Sequence, residues 1–335
     1  MIKTIILFGG KTMGHVIPGL ATITGLRKKN PFIRIIYITS DKQKDLKMLN
    51  LNQIDKIYFL NYKSSKNLKD IYHIYETIKN IYMLYHPNLV ISYGSVIGTI
   101  GLFIAKRQNV KSILHEQNKV MGLGNKIGMH FTNNIFLNYK LKLNFRKKKN
   151  IKNVGLPTML DFECINGFKN KNKIVFLSGS NGAFYINKLG IDFSKTEFSK
   201  NYEITIVSGE KYYQELESFP NNQKHLQIVP FVENLYLFLK DANFAITRGG
   251  ATTLQELKKL GIKSIIIPSP NVSNNHQYLN ALEHLNSSII IEEKNCSIDD
   301  LISGIKELEK KTIEQDLSNP TNNFIEALNE VYKIY

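Results

Sequence analysis

The chain has 335 residues and 43% hydrophobic content, the balance of a globular protein with room for two ordinary domains. Its formal charge of +16 is lopsided: residues 1–160 carry 26 Lys and Arg against 6 Asp and Glu, a balance of +20, whereas residues 161–335 carry 18 against 22, a balance of −4. No run approaches the ~20 apolar residues of a membrane span, no signal peptide is read at the N-terminus, and the two cysteines, Cys164 and Cys296, exclude a disulfide framework or a cysteine-built zinc site and fit a reduced, cytoplasmic setting. The basic half is expected to meet something anionic, an acidic membrane surface or nucleic acid. No helix-turn-helix, zinc finger or aromatic RNA-binding motif is present, so nucleic acid is set aside.

In chain order, Lys3 to Phe8 (KTIILF) reads as a buried strand and GGKTMGHVIPGLATITGLRKK as a glycine loop opening a helix, the first unit of a Rossmann-like domain. The loop is neither a P-loop nor the dinucleotide GxGxxG. Gly9, Gly10 and Gly14 allow close backbone approach, and His15 at the loop–helix junction is either a general base or a helix-start residue bonding the backbone. Arg34 to Thr39 is the next strand. Leu68 to Tyr85 reads as a helix with Ile71, Ile74, Ile78 and Ile81 in one stripe, broadened by Tyr75, Tyr82 and Tyr85 and flanked by Lys69 and Lys79. Such a stripe is ordinarily core, with contact to lipid headgroups as the alternative.

Leu89 to Ser92 is a strand leading into a second glycine turn with Gly94, Gly98 and Gly101. Lys111 to Leu114 then leads into HEQNKVMGLGNK, whose His115, Glu116, Gln117, Asn118 and Asn125 suit sugars or phosphates. Ile135 to Leu137 is a strand, and a basic run, Arg146 to Lys149, closes the half. The pattern restarts around Val154 to Thr158. Lys173 to Leu177 precedes a third glycine turn holding Ser180 and Asn181 between Gly179 and Gly182; Tyr202 to Ser208 and Gln227 to Phe231 are further strands.

The densest stretch is Phe244 to Leu285: a short strand, Gly249 and Gly250, a helix with Leu254, Leu257 and Leu260 near one face, a strand at Ser264 to Pro268, and a loop carrying His276, Gln277 and Asn280, polar groups able to grip a sugar. A helix opening at a glycine turn aims free N–H groups and its positive dipole end outward, which suits a phosphate. Glu256, one turn in, is placed to accept bonds from ribose hydroxyls. The fold class expected is α/β, two Rossmann-like domains facing across a cleft: residues 1–157, residues 158–321, and a helix at 322–335 packing back on the first.

Taken together, GGKTMGH, HEQN with GLGNK, GSNGA, RGGATTLQE and HQYLNA resemble the motifs of the MurG family, in the same order, over roughly Ile2 to Glu293. The resemblance implies an inverting glycosyltransferase of GT-B architecture, with no required metal or cofactor. It would transfer N-acetylglucosamine from UDP-N-acetylglucosamine to the C4 hydroxyl of the muramyl sugar of lipid I, an undecaprenyl-pyrophosphate-linked muramyl peptide, at the cytoplasmic face of the membrane. Carried over by position, the resemblance implies His15 as general base. It implies Asn118, Ser180, Asn181, Gly182, Phe231, Val232, Ala251, Thr252, Thr253, Glu256 and Gln277 on the donor. It implies Lys11, Thr12, Gly14, Gly94, Gly98 and Glu116 on the acceptor. Lys11 and Met13 replace glycines of the family's first loop, and Met159 stands where the family places arginine, which bears on the acceptor pyrophosphate and on one donor contact. Three rival readings are a transferase acting on diacylglycerol or another polyprenyl lipid, a UDP-N-acetylglucosamine 2-epimerase, and a non-catalytic membrane-bound paralogue. The epimerase needs several carboxylates in its cleft, and the first half offers six acidic residues.

Overall fold

A computed structural model describes residues 3–10, 12–41, 53–62, 67–141, 149–162, 172–179, 182–217, 223–232, 234–313 and 316–334. The chain divides into two compact units, Met1–Asp161 with Asn319–Tyr335, and Phe162–Ser318.

In the first unit the strands are β1 (Thr4–Phe8), β2 (Arg34–Ser40), β3 (Lys56–Leu60), β4 (Leu89–Ser92), β5 (Lys111–Glu116), β6 (Asn134–Leu137) and β7 (Asn150–Asn153). They form one sheet in the order β3-β2-β1-β4-β5-β6-β7 with every pairing parallel. Every residue of β1 is buried, because helices cover both faces of a parallel sheet and leave no side for polar alternation. The helices are α1 (Met13–Lys29), α2 (Leu68–Tyr85), α3 (Ser95–Arg107) and α4 (Leu123–Gly128). The second unit repeats the plan with β8 (Lys173–Leu177), β9 (Glu203–Val207), β10 (Leu226–Val229), β11 (Phe244–Thr247), β12 (Lys263–Ile266) and β13 (Ser288–Ile290), in the parallel order β10-β9-β8-β11-β12-β13. Its helices are α5 (Phe184–Ser194), α6 (Glu210–Glu217), α7 (Leu235–Leu239), α8 (Ala251–Lys259), α9 (His276–Leu282) and α10 (Ile298–Lys310). The last of these is fixed by a Ser297–Asp300 capping box and buries Leu301, Ile305 and Leu308.

A final helix, α11 (Pro320–Tyr332), returns to the first unit. Phe324 packs its ring against Tyr93, His115 and Phe136, and a Cβ on Gly25 of α1 would lie 3.0 Å from Thr321 and 3.1 Å from Ile325. The division falls after Asp161, four residues beyond the position expected from sequence, for a specific reason. Asp161 Oδ2 accepts from the backbone N–H and hydroxyl of Thr321 (2.9 and 2.5 Å) and from the Thr158 N–H (3.2 Å), so residues 158–161 act as the socket for α11.

In each sheet the strand order reverses once, between β1 and β4 and between β8 and β11. Loops beyond the carboxyl ends of the strands at such switch points are where open α/β sheets hold ligands. At the first switch point stand Gly9, Gly10, Thr12 and the turn at Gly94; at the second stand Gly179, Gly182 and the Arg248–Gly250 turn.

Candidate active site

At the first switch point α1 begins at Met13 with Thr12 as its N-cap. Thr12 does not cap through its side chain; its Oγ1 lies 2.9 Å from His15 Nδ1. The imidazole occupies a slot between two glycines. A Cβ on Gly10 would come within 2.9 Å of Nδ1, and one on Gly94 (φ +109°) within 3.2 Å of Nε2, so a larger residue at either position would displace the ring. The ring is half-buried, and desolvation by the surrounding protein lowers its pKa to about 4, leaving it neutral at pH 7.

Beyond β5, the Glu116 carboxylate accepts four hydrogen bonds: from the Asn118 N–H (2.9 Å), Asn118 Nδ2 (3.1 Å), the Gly122 N–H (3.0 Å) and Asn125 Nδ2 (2.8 Å). Burial raises its pKa and these donors oppose the rise. It is 1% exposed and its oxygens are engaged, so Glu116 shapes the loop and does not reach an acceptor, contrary to the sequence expectation. Gly98 is corrected in the same way. A Cβ there would fall 2.2 Å from Ser92 Oγ, so its bare backbone seats α3 on β4. His115 is a core residue, with Nε2 on the Gly155 carbonyl (2.9 Å) and its ring against Tyr93 and Phe324. Gly14 lies in the first turn of α1, Asn118 is half-buried at the end of the turn it shares with Glu116, and Lys11 lies outside the described residues.

In the second unit α8 opens at Gly250, and Ala251, Thr252 and Thr253 form its first turn. The two glycines before it do different work. A Cβ on Gly249 would lie 2.1 Å from the backbone oxygen of Gln277, whereas around Gly250 nothing comes within 4 Å. Gly249 is thus pinned under α9, with Asn280 Nδ2 donating to its carbonyl (3.0 Å), and Gly250 is left open to whatever approaches the helix end. Asn280, expected to grip a sugar, is instead wholly buried as this clamp. Gln277 is half-buried, and its Oε1 accepts from the Ser269 N–H (2.9 Å), so its Nε2 donors are what it has to offer a ligand. His276 bonds the Ser273 carbonyl (2.9 Å).

Thr252 Oγ1 is buried without a hydrogen-bond partner, an uncompensated polar atom at the helix end. Glu256, 6% exposed, has its pKa raised to about 8 by desolvation alone. A carboxyl with no donor among the described residues, in a helix that opens at a bare glycine, is suited to ligand hydroxyls. Gly182 (φ +71°) packs against Tyr212 and the Ser208 carbonyl, and Ser180 and Asn181 beside it lie outside the described residues. Phe231 and Val232 are half-buried beyond the end of β10, the edge strand. Arg248, which the sequence singled out only as an arginine before two glycines, bonds Glu293 Oε2 (2.5 Å) and the Ile267 carbonyl (3.1 Å). Asn125, read from GLGNK as a group for sugars or phosphates, carries an unpaired carbonyl near His15.

Two family descriptions match the chain: the glycosyltransferase family 28 N-terminal domain over residues 5–137 and the C-terminal domain over residues 173–334. Among curated proteins, a UDP-N-acetylglucosamine–N-acetylmuramyl-(pentapeptide) pyrophosphoryl-undecaprenol N-acetylglucosamine transferase of Natranaerobius thermophilus is 28% identical over 98% of both chains. One of the same name from Caldicellulosiruptor saccharolyticus is 29% identical over 91% of this chain and 89% of that one. Among solved structures, MurG of Acinetobacter baumannii superposes with a TM-score of 0.69 at 18% identity over 100% of both chains. A putative UDP-N-acetylglucosamine 2-epimerase from Listeria monocytogenes gives 0.73 at 9% identity over 100% of this chain and 98% of that one. The superpositions establish the fold without choosing between transferase and epimerase, and the sequence matches make the choice. With both domain descriptions met in order along one chain, the protein belongs to glycosyltransferase family 28 and, within it, to the MurG family.

Proposed function

We propose that the protein transfers N-acetylglucosamine from UDP-N-acetylglucosamine to lipid I, forming lipid II for peptidoglycan synthesis. The observation that carries the proposal is end-to-end similarity to relatives named for that reaction, 98% of both chains in the first of them. The placement of the motif residues supports it. In the donor half, the α8 amides, the orphan Thr252 hydroxyl and the open backbone at Gly250 suit a diphosphate, and Glu256 suits the ribose. In the acceptor half, neutral His15 takes the proton of the attacking C4 hydroxyl at Nε2 as the new O–C1 bond forms. The C1–O bond to the β-phosphate breaks, its electron pair leaving with UDP, and the amides of Ala251 to Thr253 stabilise the charge that develops there. Asn118 and Gln277 are assigned to the sugar hydroxyls, Phe231 and Val232 to the uracil, and Ser180 to the diphosphate.

We further propose peripheral membrane binding by the first unit. Among the described residues no helix is long and apolar enough to cross a membrane. The α2 stripe is largely core: Ile74, Ile78, Ile81 and Tyr82 are buried, Tyr82 bonds the Gly101 carbonyl, and Tyr85 bonds Tyr58. Of its three tyrosines only Tyr75 opens on the neighbouring groove of about 350 Å³ between α2 and α3, beside exposed Leu68 and Tyr72 and lined further by Phe103 and Phe131. Lys79, Lys106 and Arg107 lie over the Tyr75, Phe131 and Phe103 rings, giving the groove a basic border.

The deciding experiment supplies labelled UDP-N-acetylglucosamine with lipid I, with diacylglycerol, and with no acceptor. Label appearing in a lipid I product supports the proposal. Label in diacylglycerol, epimerised free nucleotide sugar, or no turnover with any acceptor would replace it with the corresponding rival.

A further inference from the structure

Asn125 is 4% exposed, and the direction of its amide is settled by its own bonds. Nδ2 donates to the His115 carbonyl (3.1 Å) and to Glu116 Oε2 (2.8 Å), two acceptors that the opposite orientation of the amide would leave facing an oxygen. Oδ1 must therefore point the other way, and there it has no hydrogen-bond partner among the described residues. A buried carbonyl left unpaired is costly, so a protein that holds one in place invites an explanation. The surroundings supply one. The point occupied by a Cβ on Gly94 would lie 3.2 Å from Asn125 Oδ1 and 3.2 Å from His15 Nε2, so the two atoms flank the same bare α-carbon.

For His15 to act as a base at Nε2, the proton of the neutral ring must sit on Nδ1, donated to Thr12 Oγ1 at 2.9 Å. Once Nε2 takes a proton, the half-buried ring gains a second donor that calls for an acceptor. We infer that Asn125 is a positioning residue for His15, its Oδ1 receiving the Nε2–H that the imidazole acquires during transfer. Glu116 and His115 lie behind the Asn125 amide at the end of β5, Tyr93 is buried at the end of β4, and Lys11 precedes Thr12 in the chain. Asn125 Oδ1 is the unengaged acceptor among these segments. Desolvation holds the ring at about 4, weak for a base working near neutrality, and an acceptor for the Nε2–H of the protonated ring opposes that lowering.

The inference rests on the assignment of His15 as base, and its test separates the two. Asn125→Leu removes Oδ1 and Nδ2; Asn125→Asp removes the Nδ2 donor and keeps an acceptor. Both lose the bonds to Glu116 and the His115 carbonyl, and the aspartate further sets an oxygen against those two acceptors, so its stability is expected to fall as well. In the full-length protein labelled with ¹⁵N-histidine, with His15 assigned through His15→Gln, the His15 titration is expected to fall in Asn125→Leu and rise in Asn125→Asp. Turnover is expected to drop about tenfold to a hundredfold in the leucine variant, less in the aspartate variant, with UDP-N-acetylglucosamine affinity unchanged in both. Equal losses in the two variants with an unmoved His15 titration would overturn the inference and leave Asn125 as a loop brace. If Asn125→Leu does not fold, an unmoved His15 titration in Asn125→Asp overturns it alone. Shifted titrations with full turnover in His15→Gln would uphold the contact and retire His15 as the base.

Discussion

At the scale of single residues, two carboxyls, Glu116 at the end of β5 and Glu256 within α8, have opposite fates. Glu116 is saturated by four protein donors, whereas Glu256 has its pKa raised to about 8 with burial as the only cause. For Glu256 the folded pKa lies above the unfolded 4.5, so between those values the folded protein holds the extra proton. Stability of the ligand-free protein therefore falls as pH rises through that window. Glu256→Gln is expected to stabilise the free protein by roughly 1–3 kcal/mol at pH 8 and by almost nothing at pH 4, read from denaturant unfolding at the two pH values. The same substitution should weaken donor binding by ~1–3 kcal/mol, and the wild type should release a proton on binding, seen by calorimetry in buffers of different ionisation enthalpy. Undiminished affinity in the variant would remove Glu256 from the site. His15→Ala is expected to lower turnover ~10²–10⁴-fold with donor affinity nearly intact. A parallel collapse of donor affinity would make the residue structural. The sequence made His15 and Glu256 readable because each sits one turn or less from a glycine loop at a helix start. It misassigned Glu116, Gly98 and Asn280 because a polar or bare residue in such a loop serves a ligand or the loop itself according to the side it faces, and residue type does not encode the side.

At the scale of elements, the Gly249–Gly250 pair gives a matched experiment. Gly249→Ala forces a Cβ to within 2.1 Å of a backbone oxygen, so α8 and α9 must move apart; a loss of ~1–3 kcal/mol and weakened donor binding are expected. Gly250→Ala meets nothing and keeps an ordinary φ of −74°, so its melting temperature should change little, and any lost affinity there reports a ligand lying against bare backbone. A Gly249→Ala protein with wild-type stability would show that the clamp carries no load. Central strands were legible because a strand covered on both faces is a continuous apolar run, as in TIILF and KIVFL. The strands that escaped notice, β3, β7 and β13, all lie at sheet edges. β7 reads NIKN and buries none of its residues, so it shows no apolar pattern to find.

At the scale of the whole molecule, charge separates the halves, +20 over residues 1–160 and −4 over the rest. Each basic residue near an anionic surface contributes about 1 kcal/mol, and the attraction fades within a Debye length. Co-sedimentation with anionic vesicles is expected to be strong at low salt, weak at high salt and slight with neutral lipid. Charge reversal of Arg146, Lys147 and Lys148 should weaken it, with Lys149 left in place because its Nζ already holds the Met129 and Thr132 carbonyls. Equal binding to neutral and anionic vesicles would defeat the electrostatic account, and tighter binding to nucleic acid than to vesicles would replace the partner.

The return of α11 to the first unit has a consequence for the order in which the molecule comes into being. Phe324, Ile325 and Leu328 belong to the same buried cluster as Ile5, Leu7 and Tyr93, so β1 waits for α11 to be made before its core is complete. Phe162–Ser318 is one uninterrupted stretch, and all six strands described in the second sheet come from it. On the ribosome the second half can mature while the first, with its basic surface, is still unsealed along the α1 face that Thr321 and Ile325 will cover. The half proposed to bind the membrane thus completes its core only once α11 has been made, and the Thr321–Asp161 contact holds that helix in place.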